Sequence, residues 1–309
     1  MNNNNQRIFS IPIGKLSDFQ QDSIYFRDVR ACTRTPSLRF EEAEEGKDKL
    51  HVFNKFLMHH DYVIQKSSGE RFVEITKDKN EIHRAGNIIP GAMTVSKIIL
   101  PLEILMPELE ISNVNFKFTD TSMYDEKIKN VFLFQFINPE YIQIEVNTYQ
   151  SQKTVAKALI TAKVNPEGRH VAKIKEEDVN ETNLNLVREY LDTFAIESEA
   201  YVQKEDYRDY TYPLSYIAAL PSAEIVKQME GNGGMINVLR MNFGGVKMIP
   251  ITNVKGPEVR LARQRERSTF NKIITEIVNG LVTYYHGLAI VNPAAKFRNP
   301  TSSAISLAK

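Results

Sequence analysis

The chain has 309 residues, enough for one large domain or two of about 150. Its 39 Lys and Arg against 38 Asp and Glu leave a formal net charge of +1, so no global field recruits nucleic acid or an anionic membrane, and any charged partner is met locally. Cys32 is the only cysteine, which excludes an intrachain disulfide; no window reaches the roughly 18 apolar residues of a membrane helix, and the opening MNNNNQRIFS lacks the apolar centre of a signal peptide, so a soluble, cytoplasmic protein is expected.

In chain order, residues 1–25 read as a polar tail and the acidic and basic run 41–49 as a solvated segment. Residues 55–66 hold Phe56, Leu57, Met58, Tyr62, Val63 and Ile64, a strand or two short ones, leading to a turn expected at Ser67-Ser68-Gly69. A short helix with Phe72, Val73 and Ile75 apolar then delivers the chain to Asp78. Asp78, Asn80 and His83 form a polar cluster, followed by Pro90-Gly91 and a segment to Met106 whose apolar character only Lys97 and Glu103 interrupt. A helix apolar nearly all round belongs inside a fold. Its N-terminus, with unpaired N–H groups and the positive end of the dipole, would face the polar cluster and suits a developing negative oxygen.

Period-2 patterns follow: Val114, Phe116 and Phe118, then Ile142, Ile144 and Val146, each alternating with polar residues as in strands with one covered face. Residues 131–137 (VFLFQFI) read as a buried strand, and a further strand runs over 155–164. The order of one strand, a central helix and several antiparallel strands fits a sheet wrapped around a buried helix.

The second half echoes this order. Tyr62-Val63 and Gln65-Lys66 are matched by Tyr201-Val202-Gln203-Lys204, Leu100-Pro101 by Leu220-Pro221, and Asn115-Phe116-Lys117-Phe118 by Arg240-Met241-Asn242-Phe243. Both halves close on Val-Asn-Pro, at Pro166 and Pro293. Between them, 175–199 holds a linker helix with Leu184, Val187, Leu191 and Phe194 on one face. From Lys66 to Pro90 is 24 positions but from Lys204 to Pro213 only 9, and the missing piece is the Asp78–His83 segment, so one site per chain is expected.

Asp78-x-Asn80-x-x-His83 with Pro90-Gly91 opening an apolar helix resembles the hydratase motif of MaoC-like enzymes, (R)-specific enoyl-thioester hydratases and 3-hydroxyacyl-thioester dehydratases of fatty acid metabolism. The resemblance covers residues 62–166 and, as pattern, the second half. It departs from the family at Lys77, where Gly is usual, at Glu81, where Pro is usual, and at Ala85, where an acidic residue is frequent. It implies an α+β double hot dog, two antiparallel sheets each wrapped around a central apolar helix. The expected division is a tail at 1–25, a motif-bearing hot dog at 26–170, a linker at 171–199, a second hot dog without the motif at 200–295 and a tail at 296–309. The substrate implied is an acyl-CoA or acyl carrier protein thioester, with no cofactor, no metal and no nucleic-acid partner. Oligomeric state stays open, because two hot dogs in one chain already make the usual dimer.

Hydration of an enoyl thioester needs a base for water, a proton for the α carbon and stabilisation of an enolate-like oxygen. His83 and Asp78 are assigned as the catalytic pair gripping one water, Asn80 as the support of loop or water, and the Gly91 backbone N–H as the oxyanion donor. Arg260, Arg263 and Arg265 are candidates for contact with thioester phosphates or a carrier, against a plainer reading as a charged strand edge. His59, His60 and His286 lack metal-ligand spacing, and the glycines of 231–234 read as a turn. Two other classes remain open: a non-catalytic acyl-thioester-binding or assembly protein, and a hot-dog thioesterase.

Overall fold

The computed structural model describes residues 38–42, 55–80, 82–83, 87–106, 109–138, 140–164, 174–194, 210–229, 235–243, 249–252, 256–266, 270–280 and 282–292. Both expected tails, most of the 41–49 run, Tyr201–Lys204, the two Val-Asn-Pro ends beyond their strands and the 231–234 turn lie outside them.

The strands are β1 (Leu38–Glu42), β2 (Lys55–Val63), β3 (Leu109–Phe118), β4 (Lys127–Asn138), β5 (Tyr141–Gln150), β6 (Lys153–Val164), β7 (Met235–Asn242), β8 (Glu258–Glu266), β9 (Asn271–Asn279) and β10 (Val282–Asn292). The helices are α1 (Lys66–Thr76), α2 (Gly91–Leu105), α3 (Glu181–Asp192), α4 (Leu214–Ala219) and α5 (Pro221–Gln228). The ten strands of the described residues form one antiparallel sheet in the order β1-β2-β4-β5-β6-β3-β7-β10-β9-β8. The expectation of two separate sheets is therefore corrected. β3 and β7 pair from Asn113↔Asn242 to Lys117↔Val238, which joins the halves and removes two edges that would otherwise carry unpaired N–H and C=O groups. In this order β4-β5-β6-β3 on one side mirrors β8-β9-β10-β7 on the other.

Alternation determines the covered face. Ile142, Ile144 and Val146 are buried on β5, and Val114 and Phe116 on β3. On β4 the expectation of a buried strand holds for one face only: Phe132 and Phe134 are buried, but Val131 and Leu133 are half-buried and Ile137 is exposed. An antiparallel sheet covers one face with core and leaves the other to solvent, so an unbroken apolar run still splits by parity. The expected turn at Ser67-Ser68-Gly69 is instead the first turn of α1. Gly69 suits that turn because a Cβ there would run into the Tyr124 ring.

α2 is the most buried element; Val95, Ile98, Ile99 and Leu102 are inaccessible, and so are Lys97 and Glu103 for most of their surface. α3 lays Leu184, Val187 and Leu191 into the same core, with Phe194 just beyond its end. Lys97 has an unusual setting. Its Nζ lies 5.1 Å from the ring centroids of both Tyr62 and Phe194, cation–π contacts that replace water only in part. Burial lowers its pKa to about 8, and burial followed by the Lys97 charge lowers that of the neighbouring His60 to about 3, so His60 stays neutral.

Between pH 8 and 10.5 the unfolded chain holds the Lys97 proton and the folded chain does not, so folding stability rises with pH across that window. At neutral pH the cost of charging it inside is on the order of 3 kcal/mol, at about 1.4 kcal/mol per pH unit. Lys97→Met, which keeps the stem, should stabilise the protein by about 1–3 kcal/mol and abolish the rise, as read from urea unfolding at pH 7 and pH 10. A destabilised variant with the rise intact would contradict the assignment.

Candidate active site

The polar cluster is built where α1 ends. Lys77 caps α1 in the left-handed conformation (φ 59°), its N–H bonded to the carbonyls of the last turn, and this reversal turns Asp78 inward, where it is 1% exposed. The next residues close on themselves. The Asn80 N–H donates to Asp78 Oδ1 (3.2 Å), the Ile82 N–H to Asn80 Oδ1 (3.2 Å) and the His83 N–H to the Asn80 carbonyl (3.1 Å). Asn80 is thus the residue that holds the loop, in the manner of an Asx turn.

His83 presents its ring to Asp78, with Nε2 3.9 Å from Oδ2. Nδ1 lies 3.2 Å from the carbonyl oxygen of Ile88. A carbonyl can only accept, so Nδ1 carries the proton and Nε2 keeps its lone pair toward Asp78. Burial, the largest influence, lowers the His83 pKa, opposed by the Asp78 charge and the Ile88 carbonyl, and the ring is a neutral base. Two acceptors 3.9 Å apart do not bond to each other, but one water can donate a hydrogen to each.

Gly91 begins α2 after Pro90, which supplies no side-chain cap. The first turn is closed by Met93 and Thr94 N–H donating to the Pro90 carbonyl, leaving those of Gly91 and Ala92 unpaired within the helix. Asn80, His83, Gly91 and Thr94 line one narrow cleft together with Phe118, and its opposite wall comes from the second half: Ser222, Ile225 and Val226 of α5, Met229, and Met235 and Ile236 of β7.

Sequence reasoning misses one member of this site. Ser222 Oγ donates to Asp78 Oδ2 at 2.6 Å, a buried contact spanning 144 positions. The available signal is a serine on the apolar face of the helix that echoes α2. The arginines behave differently. Arg260, Arg263 and Arg265 sit on β8, the last strand of the sheet; Arg260 is exposed and 3.5 Å from Glu258, Arg265 is exposed, and neither side chain lines the cleft. His286 lies 3.3 Å from Glu276 on the neighbouring strand. Among the described residues no group of three His, Cys, Asp or Glu could hold a metal ion, and no helix is long and apolar enough to cross a membrane.

The two helix starts differ in one decisive way. Glu103 stands thirteen residues after Pro90, and Val226 thirteen after Pro213, the two N-cap prolines. Glu103 caps the start of α4, taking Leu214 N–H on Oε1 (2.6 Å) and Ser215 N–H on Oε2 (2.9 Å). At the start of α2 the corresponding residue is Val226, on the wall of the cleft, with no charge to offer. One helix N-terminus is plugged by a carboxylate from inside the chain, and among the described residues no side chain caps the other.

No family model matches the sequence, and no curated protein is a significant sequence match. Solved structures do match in shape. A MaoC-like dehydratase superposes with a TM-score of 0.56 at 6% identity, covering 78% of this chain and 98% of its own. The MaoC-like dehydratase from Phytophthora capsici gives 0.52 at 9% identity, covering 77% and 95%. The chain has the hot-dog fold of the MaoC-like dehydratases. An acyl-ACP thioesterase from Bacteroides thetaiotaomicron also matches, with a TM-score of 0.44 at 7% identity over 76% of this chain and 98% of its own. A fold does not by itself determine chemistry, which is set by the residues of the cleft.

Proposed function

We propose that this chain is a double hot dog that interconverts trans-2-enoyl and (R)-3-hydroxyacyl thioesters of CoA or an acyl carrier protein by adding or removing water. The observation that carries the reading is the shared cleft: a neutral imidazole with its lone pair toward a buried carboxylate, facing an uncapped helix N-terminus. In the hydration direction His83 Nε2 takes a proton from the water bridging it to Asp78, and the oxygen adds to the β carbon. Charge moves to the thioester oxygen, which the Gly91 N–H and the positive end of α2 stabilise. The enolate then collects a proton at the α carbon from the Asp78–His83 pair. The apolar wall of Ile225, Met229 and Ile236 is where the acyl chain would lie, which gives the second half its part in the reaction.

Ser222 acts through Asp78, as a positioning residue. Ser222→Ala should lower kcat roughly tenfold, the scale of one hydrogen bond to a charged group, with KM little changed and partial recovery in Ser222→Thr. A kcat equal to the parent in a folded Ser222→Ala variant would remove it from the site.

The reading is tested by following the enoyl absorbance of crotonyl-CoA, and then of a longer trans-2-enoyl-CoA, with parent protein and His83→Ala. Loss of the band that depends on His83 without free thiol is the expected result. Release of thiol would make the protein a thioesterase, and no reaction on CoA or carrier-bound substrates would make it a binding protein.

A further inference from the structure

A second and much larger cavity, about 780 Å³, lies on the other side of α5 from the catalytic cleft, with Val226 lining both. Its volume is that of a binding site for a drug-sized molecule. The apolar walls come from Ile75, Leu186, Tyr212, Tyr216, Leu220 and Val259. Lys77, Lys79 and Lys227, all exposed, are the basic residues of the lining. The one acid there, Glu224, is already satisfied, by Lys227 Nζ at 3.5 Å on Oε2 and by Gln228 Nε2 at 2.6 Å on Oε1. Lys77 and Lys79 have no ion-pair partner among the described residues, which leaves them as the cavity's uncompensated charges.

Two details indicate a built site. Lys77 occupies a left-handed backbone position that glycine would adopt at lower cost, and it flanks Asp78 from the side facing this cavity. Tyr212, stacked on Tyr216 at 5.7 Å, keeps its hydroxyl buried with no hydrogen-bond partner among the described residues. Gly256 leaves room for that hydroxyl, since a Cβ there would come to 2.8 Å of Oη. Burial raises the Tyr212 pKa, so the group is a donor, and a buried donor without an acceptor is costly unless something else supplies one.

We propose that this groove binds a long-chain amphiphilic carboxylate, its chain against the tyrosine and aliphatic wall, its charge held by Lys77 and Lys79, and an oxygen accepting from Tyr212. The site is separate from the thioester chemistry and does not depend on it.

The probe is laurate, with lauryl alcohol as the uncharged counterpart, measured by calorimetry on the full chain. Laurate should bind more tightly than the alcohol, more weakly at raised salt, and roughly tenfold or more weakly to Lys77→Ala/Lys79→Ala. Tyr212→Phe should weaken it further without affecting the fold, and Leu186→Trp, which fills the groove from α3, should abolish it. Leu186→Trp should leave crotonyl-CoA turnover unchanged, so a failure here is distinguishable from a failure of the hydratase reading. Absence of laurate binding, equal affinity for the alcohol, or binding that survives Leu186→Trp would each overturn the proposal.

Discussion

Asp78→Asn and His83→Ala should each leave the protein folded and lower the hydration rate by roughly 10² to 10⁴-fold, the scale of one acid–base group. The two losses should not add, because in the proposed mechanism both residues grip the same water. His83→Ala removes the lone pair that accepts the proton. Asp78→Asn replaces an acceptor by an amide, one end of which can donate, so the water loses its second anchor and Ser222 Oγ its charged acceptor. The pH profile provides an independent readout. Burial holds His83 below its ordinary 6.5, so the acid limb of kcat/KM should fall below pH 6.5 and be absent from the residual activity of His83→Ala. The same depression gives stability a direction: below pH 6.5 the unfolded chain takes up a proton that folded His83 resists, and folding weakens as pH falls through that range. Folded variants with undiminished rate, or an acid limb well above 6.5, would end the assignment.

The parts of this site legible in sequence are those set by local chemistry. Asp78, Asn80, His83 and Gly91 lie within fourteen positions, and the support of the loop by Asn80 and the start of α2 after Pro90 follow from residue types at short spacing. The parity of β3 and β5 is legible for the same reason, and so is the buried face of α3. What escapes is whatever depends on two distant segments meeting. Ser222 is an ordinary helix serine until Asp78 lies 2.6 Å away. The two sheets merge because β3 and β7 are both inner edges, a fact of assembly that no strand carries by itself. Lys77 reads as a departure from a motif, and only the cavity beside it suggests a use for the charge.

Glu103 is the sharpest case, because in sequence it reads only as a blemish in an apolar helix. A carboxylate 3% exposed has to be matched by donors, and it is: Leu214 and Ser215 N–H at 2.6 and 2.9 Å. Those two groups open α4 after Pro213, which offers no side-chain cap, so without Glu103 they would be left unpaired beside a buried serine. Charged hydrogen bonds are worth about 1.5–3 kcal/mol each, and stranding both donors makes Glu103→Ala destabilising by about 3–5 kcal/mol, a large fraction of a typical domain's stability. Glu103→Gln keeps one acceptor oxygen and should cost roughly half as much. Chemical denaturation of the two variants beside the parent reads both values. A loss below about 1 kcal/mol in Glu103→Ala would mean that the N-terminus of α4 finds another partner, the expected cost being that of two stranded donors. The contrast with Val226 sets the two helix starts apart. The carboxylate that completes the second helix start also occupies the place where a thioester oxygen would have to bind, and the valine at the corresponding place leaves the first one free.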